Sequence, residues 1–544
     1  MGRVVTRFPP EPSGYLHIGH AKAVLLNWEV SRRFNGRFLL RFDDTNPSKE
    51  KAEFEESILR DLKLLGVTPD SCSHTSDYFA YYIQVCTRII EEGKAYCDKT
   101  PQEKVFFPIC NIKLVKKHIL NTICLLCVIM SEQRLHKQTN EYRVQPIAEN
   151  LRLWKEMQEG TPEGQQCIVR MKMDMTSDNG TLRDPTMFRV NVDVPHHRTG
   201  FVHFFFLLLL TMRNCEQQQQ HVIQINIDHQ IDKLTDANSK PIQHTILLVR
   251  YRQEFTRTEL SKRKLSALID QGKVKGWNDP RLPTIQGIMR RGLQLEALRE
   301  FVRDQAMTQR NNKQEWDKLW TYNKKILDPI AGRYYCVSAE NKVLVEITNI
   351  KENTGVSVQL HPQNPSRGTK VLHVAKEVFI EQFDADLVRK DLDKGKKQFI
   401  LMSVGVVSID EIVFSPSHPD HIEKLRVTHL PEEKNFKDKL KVTWVVNSEN
   451  MVWVKLVELD YLFTADGEPV DQTWFETLAI AEPSISLLSR GDVIQFMKRG
   501  FFIVDKPYLG RREDPGVLIF VPDGKAKAMS ALSEATNKVE ISTK

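Results

Sequence analysis

The chain has 544 residues, which is too long for a single hydrophobic core and indicates roughly two to four domains. Hydrophobic residues make up 41% of it and charged residues 27%, a balance that excludes an intrinsically disordered protein. The net charge of +7 is a mild excess that is compatible with a nucleic-acid partner without requiring one.

The cysteines and the N-terminus indicate the compartment. Nine cysteines at irregular spacings favour a reducing environment over a disulfide scaffold. Cys124 and Cys127 form a lone C-x-x-C pair, for which thiols in an apolar run are the preferred interpretation. The N-terminus has neither an apolar signal core nor an Arg/Ser-rich presequence, and no apolar run reaches the roughly 18 to 20 residues that span a bilayer. We therefore expect a cytoplasmic protein with no membrane partner and no metal site.

The first part of the chain alternates between strand and helix patterns. Residues 3–8 are rich in β-formers, apolar residues recur at helical spacing from Ile18 onward, and RFLLRF at 37–42 predicts a second strand. Strand, helix and strand within about forty residues predict the βαβ unit of a parallel sheet. Amphipathic helices are expected next at 50–66 and 78–92.

Two stretches differ in character from the rest of the chain. Residues 105–129 are apolar and contain no acidic residue, and residues 201–252 begin with FVHFFFLLLL and include a glutamine tract at 217–220. Neither shows a clear helical or strand period. Our hypothesis is that both are translated intron or the product of a faulty gene model, and sequencing that finds both in mature message would refute it.

The remainder divides into a helical part and a β-rich part. Residues 254–325 predict helices, among them 295–305. After Pro329 many short strands alternate with turn signals, including a strand over QFILMSVGVVSI at 398–409, and this pattern predicts β-barrels or sandwiches. The last residues, 526–544, are expected to be a tail or linker.

EPSGYLHIGH at 11–20 connects the first predicted strand to the first predicted helix. A helix that starts after a strand and a Gly-containing turn presents backbone N–H groups and a positive dipole to an anion. His17 and His20 share one helix face and could donate hydrogen bonds to phosphate, while Gly19 leaves room for a nucleobase. Packing is the usual role of an isolated H-x-x-H, but the preceding strand and turn favour phosphate binding.

RFDDTNP, at 41–47, places two carboxylates at the end of the second predicted strand. The carboxyl ends of strands in open α/β sheets face the ligand crevice, so Asp43 could hold an ammonium group. An Asx turn is the alternative, and we assign that structural role to Asn46.

ELSKRKL, at 259–265, supplies three cations where a polar loop meets the start of the helix predicted over 260–272. Mobile lysines can neutralise a polyphosphate leaving group. On its own, this segment would be interpreted as ordinary basic surface.

Taken together, the motifs identify a family. LHIGH and LSKRK resemble the HIGH and KMSKS signatures of class I aminoacyl-tRNA synthetases, and TRFPPEPSGYLHIGHAKA with RFDDTNP is similar to the glutamyl/glutaminyl branch. The segments at 315–335 and 441–445 resemble glutamyl-tRNA synthetases of the eukaryotic cytosolic or archaeal type. The resemblance implies a glutamate–tRNA ligase that uses ATP and Mg²⁺, with glutamate and tRNA(Glu) as partners and a possible multi-synthetase complex or fused prolyl-tRNA synthetase.

The resemblance also implies roles for individual residues. His17, His20 and Lys262 would be catalytic, without a covalent nucleophile, and Arg7 and Asp43 would bind the carboxylate and amino group of glutamate. ATP would be bound by Glu11, Pro12, Ser13, His17, Gly19, His20, Leu260, Ser261, Lys262 and Lys264.

The implied architecture is an α/β Rossmann-like catalytic domain with an inserted α+β domain, a helical stem-contact domain and two C-terminal β-barrels. The chain starts just before its first strand, without the N-terminal extension of many cytosolic members, so we expect a fragment of a longer protein. The expected boundaries are 1–100 and 201–265 for the two catalytic halves, 101–200 for the inserted acceptor-end-binding domain, 266–328 for the helical domain, 329–525 for the anticodon-binding barrels and 526–544 for the tail or linker.

One departure from the family leaves alternatives open. After HHRTG (196–200) the family continues with a Tyr-Pro-Thr-Tyr-Asp-Phe segment that contains a substrate-binding tyrosine, and this chain has FVHFFF instead. The first alternative is a catalytically impaired tRNA-binding remnant, or the product of a faulty gene prediction, within the family. The second alternative is a glutaminyl-tRNA synthetase. Weak or absent adenylation is expected if pocket walls are missing.

Overall fold

The structure is a computed structural model that describes residues 4–48, 50–100, 133–190, 194–200, 205–206, 246–247, 254–305, 313–350, 354–418 and 420–524. The predictions for 105–129, for most of 201–252 and for the tail at 526–544 lie outside these residues. The chain divides into two compact units, the first formed by residues 1–15 and 27–249 and the second by residues 16–26 and 250–544.

The elements up to residue 247 are β1 (Val5–Phe8), α1 (Ile18–Arg33), β2 (Arg37–Phe42), α2 (Ala52–Leu64), β3 (Ser71–His74), α3 (Phe79–Glu91), β4 (Ala95–Asp98), α4 (Ile147–Glu159), α5 (Pro162–Gln165), β5 (Ile168–Met171), β6 (Thr186–Arg189), β7 (Phe205–Phe206) and β8 (Ile246–Leu247). These bounds confirm the predicted strands at 3–8 and 37–42 and the predicted helices at 50–66 and 78–92.

A parallel sheet with the strand order β3-β2-β1-β8 forms one part of the first unit. Its pleat separates the side chains of β2 into two sets. Phe38, Leu40 and Phe42 are almost fully buried. Next to β2, Thr6 of β1 donates a hydrogen bond to the carbonyl oxygen of Asn27 in α1. The parallel pairing of β1 with β2, which α1 connects, confirms the predicted βαβ unit.

An antiparallel sheet with the order β4-β5-β6-β7 forms the other part of the first unit. Helices α3 and α4 pack on it, with Trp154 fully buried against Phe188 at a ring-centroid distance of 5.1 Å. Residues 194–200 follow β6 along the chain, and Nη1 of Arg198 donates hydrogen bonds to Oγ of Ser76 (2.6 Å) and to a carboxylate oxygen of Asp77 (3.0 Å).

The second unit begins with helices. Its elements to residue 327 are β9 (Glu254–Phe255), α6 (Lys262–Asp270), α7 (Ile285–Arg290), α8 (Leu295–Asp304), β10 (Lys313–Gln314) and α9 (Trp316–Leu327). The helices predicted at 260–272 and 295–305 are therefore confirmed. Phe255 stacks on Trp316 with ring centroids 4.4 Å apart, and this contact joins the start of the segment to α9.

The remaining elements are β11 (Gly332–Tyr334), β12 (Cys336–Ser338), β13 (Lys342–Ile347), β14 (Thr354–Gln359), β15 (Thr369–Val374), β16 (Glu377–Glu381), α10 (Gln382–Asp393), β17 (Gln398–Leu401), β18 (Gly405–Phe414), β19 (Ile422–Leu430), β20 (Lys441–Val442), β21 (Trp444–Val446), β22 (Val452–Leu459), β23 (Trp474–Ala481), β24 (Val493–Phe496), β25 (Gly500–Lys506) and β26 (Gly516–Val521).

Two seven-stranded sheets organise fourteen of these strands into barrel-like structures, and β14 pairs with β15 in a separate antiparallel hairpin. One has the order β20-β17-β18-β19-β13-β16-β21, and the other β11-β24-β25-β26-β22-β23-β12. In each sheet the two end strands are separated by a single residue of the chain, Thr443 or Tyr335. Each sheet must therefore curve until its ends meet, which gives two nearly closed barrels and satisfies most strand edges. The prediction of barrels after Pro329 is confirmed.

Two local predictions in this region were wrong. QFILMSVGVVSI is not one strand, because Ser403 adopts φ 65° and turns the chain between β17 and β18, which pair as an antiparallel hairpin. Helix α10 interrupts the run of strands that the pattern predicted. Among the described residues, no helix is long and apolar enough to cross a membrane.

Candidate functional site

The start of the HIGH segment is fixed by backbone pairing in the second unit. The N–H of Ile18 donates to the carbonyl of Pro283 (3.0 Å), and the N–H of Ile285 donates to the carbonyl of Leu16 (2.9 Å). Between them, the hydroxyl of Thr284 accepts the N–H of Gly287 and thereby caps α7. These contacts hold the first turn of α1 against a short, rigid segment.

His17 and His20 form a closely packed pair in that first turn. Their ring centroids lie 3.8 Å apart. The backbone N–H of His17 donates to Nδ1 of His20, and the N–H of Gly19 donates to Nδ1 of His17, both at 3.1 Å. In a neutral imidazole this places the ring proton on Nε2, so each ring presents an Nε2–H donor. Backbone groups therefore set the tautomer of both histidines.

Both histidines are neutral near physiological pH. Burial lowers the pKa of His17 to about 3, and the positive charge of Lys262 adds to this effect. Burial also lowers the pKa of His20 well below its usual value, with further contributions from His17 and Lys262. The structure thus brings together the three residues predicted to be catalytic, with Lys262 close enough for its charge to act on both rings.

The LSKRK loop is organised by Glu259. Its carboxylate accepts the backbone N–H of Ser261 (2.8 Å) and pairs with Nζ of Lys264 (2.6 Å). Leu260 lies within the same turn, and Lys262 is the first residue of α6. Sequence reasoning assigned no role to Glu259; its position two residues before the helix cap was the available signal.

The remaining ATP-binding candidates lie in the first unit. The N–H of Ser13 donates to the carbonyl of Glu11 (2.8 Å), and the N–H of Lys51 donates to the carbonyl of Pro12 (3.3 Å). Gly14 and Tyr15 continue this turn to the boundary of the unit. Glu11, Pro12 and Ser13 therefore form a compact turn that is tied to the start of α2.

Arg7 and Asp43 lie at the carboxyl ends of two neighbouring parallel strands. Arg7 stands opposite Leu39 in the β1–β2 register, and Asp43 directly follows β2. Both side chains are buried, and the N–H of Asp43 donates to the carbonyl of Pro10 (2.9 Å). The structure thus brings the two predicted glutamate-binding residues to one edge of the sheet, where ligands bind in open α/β folds.

Glu50 was not recognised from the sequence. Its Oε1 accepts the N–H of Asn46 (2.6 Å), whereas its Oε2 is buried without a hydrogen-bond partner. Burial raises the pKa of Glu50 to about 9, and the nearby charges of Asp44, Glu11 and Asp43 add to the rise. Glu50 is therefore protonated near neutral pH. Glu50 lies three residues after Pro47, and nothing in the sequence of this turn indicates that its side chain is buried.

Comparison with known proteins places these sites in a family. The family profile described as "tRNA synthetases class I (E and Q), catalytic domain" matches residues 3–106, 128–202 and 212–329. Profiles of the anti-codon binding domain of the same synthetases match 331–429 and 441–505. The chain belongs to the class I tRNA synthetases of the E and Q type.

Curated relatives of this class I synthetase chain extend over nearly all of it. The cytoplasmic glutamate–tRNA ligase of Saccharomyces cerevisiae is 36% identical and covers 97% of the chain, which spans 71% of that relative. The corresponding enzyme of Arabidopsis thaliana is 35% identical, with 97% and 70% covered. The bifunctional glutamate/proline–tRNA ligase of Mus musculus is 34% identical over the whole chain, which spans only 35% of its length.

The gaps in the synthetase profile coincide with the unusual stretches of the sequence. Residues 107–127 lie within the stretch at 105–129, and residues 203–211 lie at the start of the stretch at 201–252. The match resumes at residue 212, ahead of the limit at 252 expected from the sequence.

One group of histidine and carboxylate side chains among the described residues brings possible metal ligands together. Ligand atoms of Glu50, His196 and His197 lie within 4.8 Å of one another. However, Nε2 of His196 lies 3.0 Å from the carbonyl oxygen of Asp44, and its Nδ1 accepts the N–H of Arg198 (3.3 Å). Both ring nitrogens of His196 are engaged with backbone groups, so we interpret this synthetase's His196 as a structural link to the end of β2.

Proposed function

We propose that this chain is a glutamate–tRNA ligase, which activates glutamate with ATP and transfers it to the 3′ end of tRNA(Glu). The observation that carries the proposal is the His17–His20 pair, two neutral rings with defined Nε2–H donors beside the cationic Lys262. The relatives named glutamate–tRNA ligase support glutamate as the amino acid.

The phosphate end of the proposed site uses fixed donors. His17 and His20 donate from Nε2–H to ATP phosphate oxygens, because in each neutral ring Nδ1 accepts a backbone N–H and leaves the proton on Nε2. Lys262, helped by Lys264, neutralises the charge that develops on pyrophosphate as it leaves. The further ATP-binding residues that we propose are Glu11, Pro12, Ser13, Gly19, Leu260 and Ser261.

The amino-acid end of the proposed site uses complementary charges. Arg7 pairs with a carboxylate of glutamate, and Asp43 holds its ammonium group. An oxygen of the α-carboxylate of glutamate attacks the α-phosphorus of ATP, and the bond from that phosphorus to the pyrophosphate oxygen breaks as pyrophosphate leaves. Glutamyl-adenylate forms in this way without a covalent enzyme intermediate. The enzyme contributes orientation and charge stabilisation.

Mg²⁺ fits this site as a companion of ATP. The donors at His17 and His20 are N–H groups beside a lysine cation, a set that suits phosphate oxygens and does not suit a metal ion. When bound with ATP, Mg²⁺ supplies neutralisation of the phosphate charge.

The proposed partner is tRNA(Glu), with the two barrels (329–525) at its anticodon, the helical part (266–328) at its stem and residues 101–200 at its acceptor end. The anti-codon binding profiles that match the barrel region support this arrangement. The bifunctional relatives support a fused prolyl-tRNA synthetase or a multi-synthetase complex as a further partner. The relatives described as cytoplasmic support a cytoplasmic location.

The proposal is tested by charging tRNA with labelled glutamate or glutamine. We expect ATP- and tRNA-dependent charging with glutamate, and loss of at least about 100-fold in kcat for His20→Asn. Charging with glutamine would identify the glutaminyl alternative. Salt-dependent binding of tRNA without charging would identify the catalytically impaired alternative.

A further inference from the structure

A buried carboxylate links the ends of two neighbouring strands beside the proposed amino-acid site. Asp44, which is fully buried, lies two residues after the end of β2. Its Oδ1 accepts the backbone N–H of Ser76 (2.9 Å), and its Oδ2 lies 2.5 Å from the hydroxyl of the same serine, two residues after the end of β3. One side chain therefore joins the loops that follow β2 and β3 at this edge of the parallel sheet.

Arg198 sets the direction of the hydrogen bond between Ser76 and Asp44. Nη1 of Arg198 lies 2.6 Å from Oγ of Ser76 and 3.0 Å from a carboxylate oxygen of Asp77. A guanidinium can only donate, so the Ser76 hydroxyl accepts from Arg198 and directs its own proton to Oδ2 of Asp44. The same Nη1 is 3.6 Å from that Oδ2. Both hydrogen bonds of the hydroxyl have a charged partner, which makes them stronger than bonds between neutral groups.

His196, two residues earlier, holds the backbone of Asp44. In the neutral ring its Nδ1 accepts the N–H of Arg198, which leaves the proton on Nε2, and Nε2 lies 3.0 Å from the carbonyl oxygen of Asp44. The ring is buried together with this carbonyl group. Residues 196–198 thus contact both the main chain of Asp44 and, through Ser76, its side chain.

Asp43, the proposed partner of the substrate's ammonium group, directly precedes Asp44. Its N–H donates to the carbonyl of Pro10 (2.9 Å), so its backbone is fixed on one side by the turn after β1 and on the other by the contacts of Asp44. Loss of one of these anchors lets the backbone at Asp43 shift, and a displacement of about 1 Å in a positioned group is costly. The position of Asp43 therefore depends on how firmly Asp44 is held.

We propose that Arg198 is a positioning residue for the amino-acid site. Through the Ser76 hydroxyl it holds the carboxylate of Asp44, and this contact places Asp43 opposite the ammonium group of glutamate. The inference rests on the proposed function, since it concerns the same site. It gives a role to the HHRTG segment (196–200), which contains none of the residues proposed to contact substrate.

The test is ATP–pyrophosphate exchange with glutamate in the presence of tRNA, measured for Arg198→Met, Ser76→Ala and the double variant. Methionine keeps the apolar stem of the arginine and removes its charge and its donors. Each single variant should raise the KM for glutamate about tenfold, because Asp43 is displaced, while the KM for ATP stays within about twofold. Both residues act through one chain of hydrogen bonds, so the double variant should be impaired about 10- to 20-fold, and not the roughly 100-fold of independent effects.

Arg32→Met is the matched control. Arg32 pairs with Asp70, whose Oδ2 accepts the N–H of Phe38 (2.7 Å), so this ion pair supports the opposite end of β2. The side chains of Arg32 and Arg198 are similarly exposed, at 40% and 32%. Arg32→Met should shift the unfolding midpoint by an amount similar to that for Arg198→Met and leave the KM for glutamate unchanged.

Any of four outcomes would overturn the inference. The first is an unchanged KM for glutamate in Arg198→Met, and the second is an equal rise in the KM values for glutamate and ATP. The third is a double variant in which the two single effects multiply. The fourth is a rise in the KM for glutamate in Arg32→Met as large as that in Arg198→Met, which would show that any loss of stability in this sheet has the same effect.

Failure of the proposed function gives a different result from failure of this inference. If wild type shows no glutamate-dependent exchange, the proposed activity fails, and calorimetric titration with glutamate then tests the inference by itself. Binding by wild type that weakens about tenfold in Arg198→Met and not in Arg32→Met supports the inference. Equal affinities of wild type and Arg198→Met, or no binding by either, overturn it.

Discussion

A methyl group added at Gly19 would lie 3.0 Å from Cε1 and 3.1 Å from Nδ1 of the His17 imidazole. The glycine thus permits the ring to fold back over the helix and accept the Gly19 N–H. A side chain at this position must push the ring away, and with it the Nε2–H donor proposed to contact phosphate.

Gly19→Ala is therefore expected to impair catalysis without destabilising the fold. Displacement of the His17 ring should lower kcat about 10- to 100-fold, because small misplacements of reacting groups are costly. Alanine is a better helix former than glycine, so the unfolding midpoint should not fall. Steady-state charging and thermal unfolding check both parts. A variant with normal kcat would show that the position of the His17 ring is unimportant.

The two lysines of the LSKRK loop should differ in their contribution. Lys264 is exposed and pairs with Glu259, whereas the charge of Lys262 acts on both histidines. Lys262→Ala should lower the rate of glutamate activation about 100-fold or more. The factor by which Lys264→Ala lowers this rate should be about ten times smaller. Single-turnover kinetics with glutamate and tRNA measure the two variants side by side. Equal losses would contradict this division of roles.

The pH dependence of stability should report on His17. Its folded pKa, about 3, lies below the unfolded value of 6.5, so only the unfolded chain takes up a proton between these values. The contribution of His17 is present above pH 6.5 and is lost as the pH falls towards 3, by at most about 1.4 kcal/mol per pH unit. Urea unfolding at pH 7.5, 6.5, 5.5 and 4.5 should show a shallower decline for His17→Asn than for wild type. Parallel declines would show that the ring is not buried as a neutral group.

Leu462 tests the contact between the second barrel and the helix that carries Lys262. It is 7% exposed and packs with Leu265, Leu268 and Leu282. Leu462→Ala should destabilise the fold by about 2–4 kcal/mol, because it leaves a cavity in this cluster. Leu487→Ala is the matched control, since Leu487 is 84% exposed and should change stability by less than about 0.5 kcal/mol. Urea unfolding measures both, and equal effects would contradict the packing.

The sequence reveals elements whose pattern is local and misses features that depend on tertiary contacts. RFLLRF predicts β2 to the residue, because its apolar alternation is continuous and Asn35-Gly36 punctuates it. The turn at Ser403 is hidden because a serine with positive φ has no sequence signature comparable to glycine. Helix α10 is missed because strand patterns surround it.

The residues of the candidate site likewise divide into those that a local motif reveals and those that depend on tertiary contacts. His17, His20, Lys262, Arg7 and Asp43 are visible as motifs on loops and strand ends. Glu50 is an ordinary charged residue in the sequence, and its protonated state arises only because the fold buries it. Glu259 likewise acquires its role from the carboxylate contacts that it makes within the loop.

The ion pair between Lys370 and Glu482 supplies the last prediction. Nζ of Lys370 lies 2.7 Å from both carboxylate oxygens of Glu482, and one of these also accepts the N–H of Tyr335, the residue that joins β11 to β12. Both charged side chains are buried. Glu482→Ala would leave a buried ammonium without its partner and should destabilise the fold by about 3–5 kcal/mol.

The double variant Lys370→Met with Glu482→Gln separates the charge from the packing. Methionine keeps the apolar stem of the lysine, and glutamine still accepts the N–H of Tyr335, so no buried charge remains. Its stability should exceed that of Glu482→Ala and approach that of wild type, since replacing both members of a buried pair is often nearly neutral. Urea unfolding of the two variants and wild type gives the comparison. A double variant as unstable as Glu482→Ala would show that the pair matters for its geometry and not for the balance of its charges.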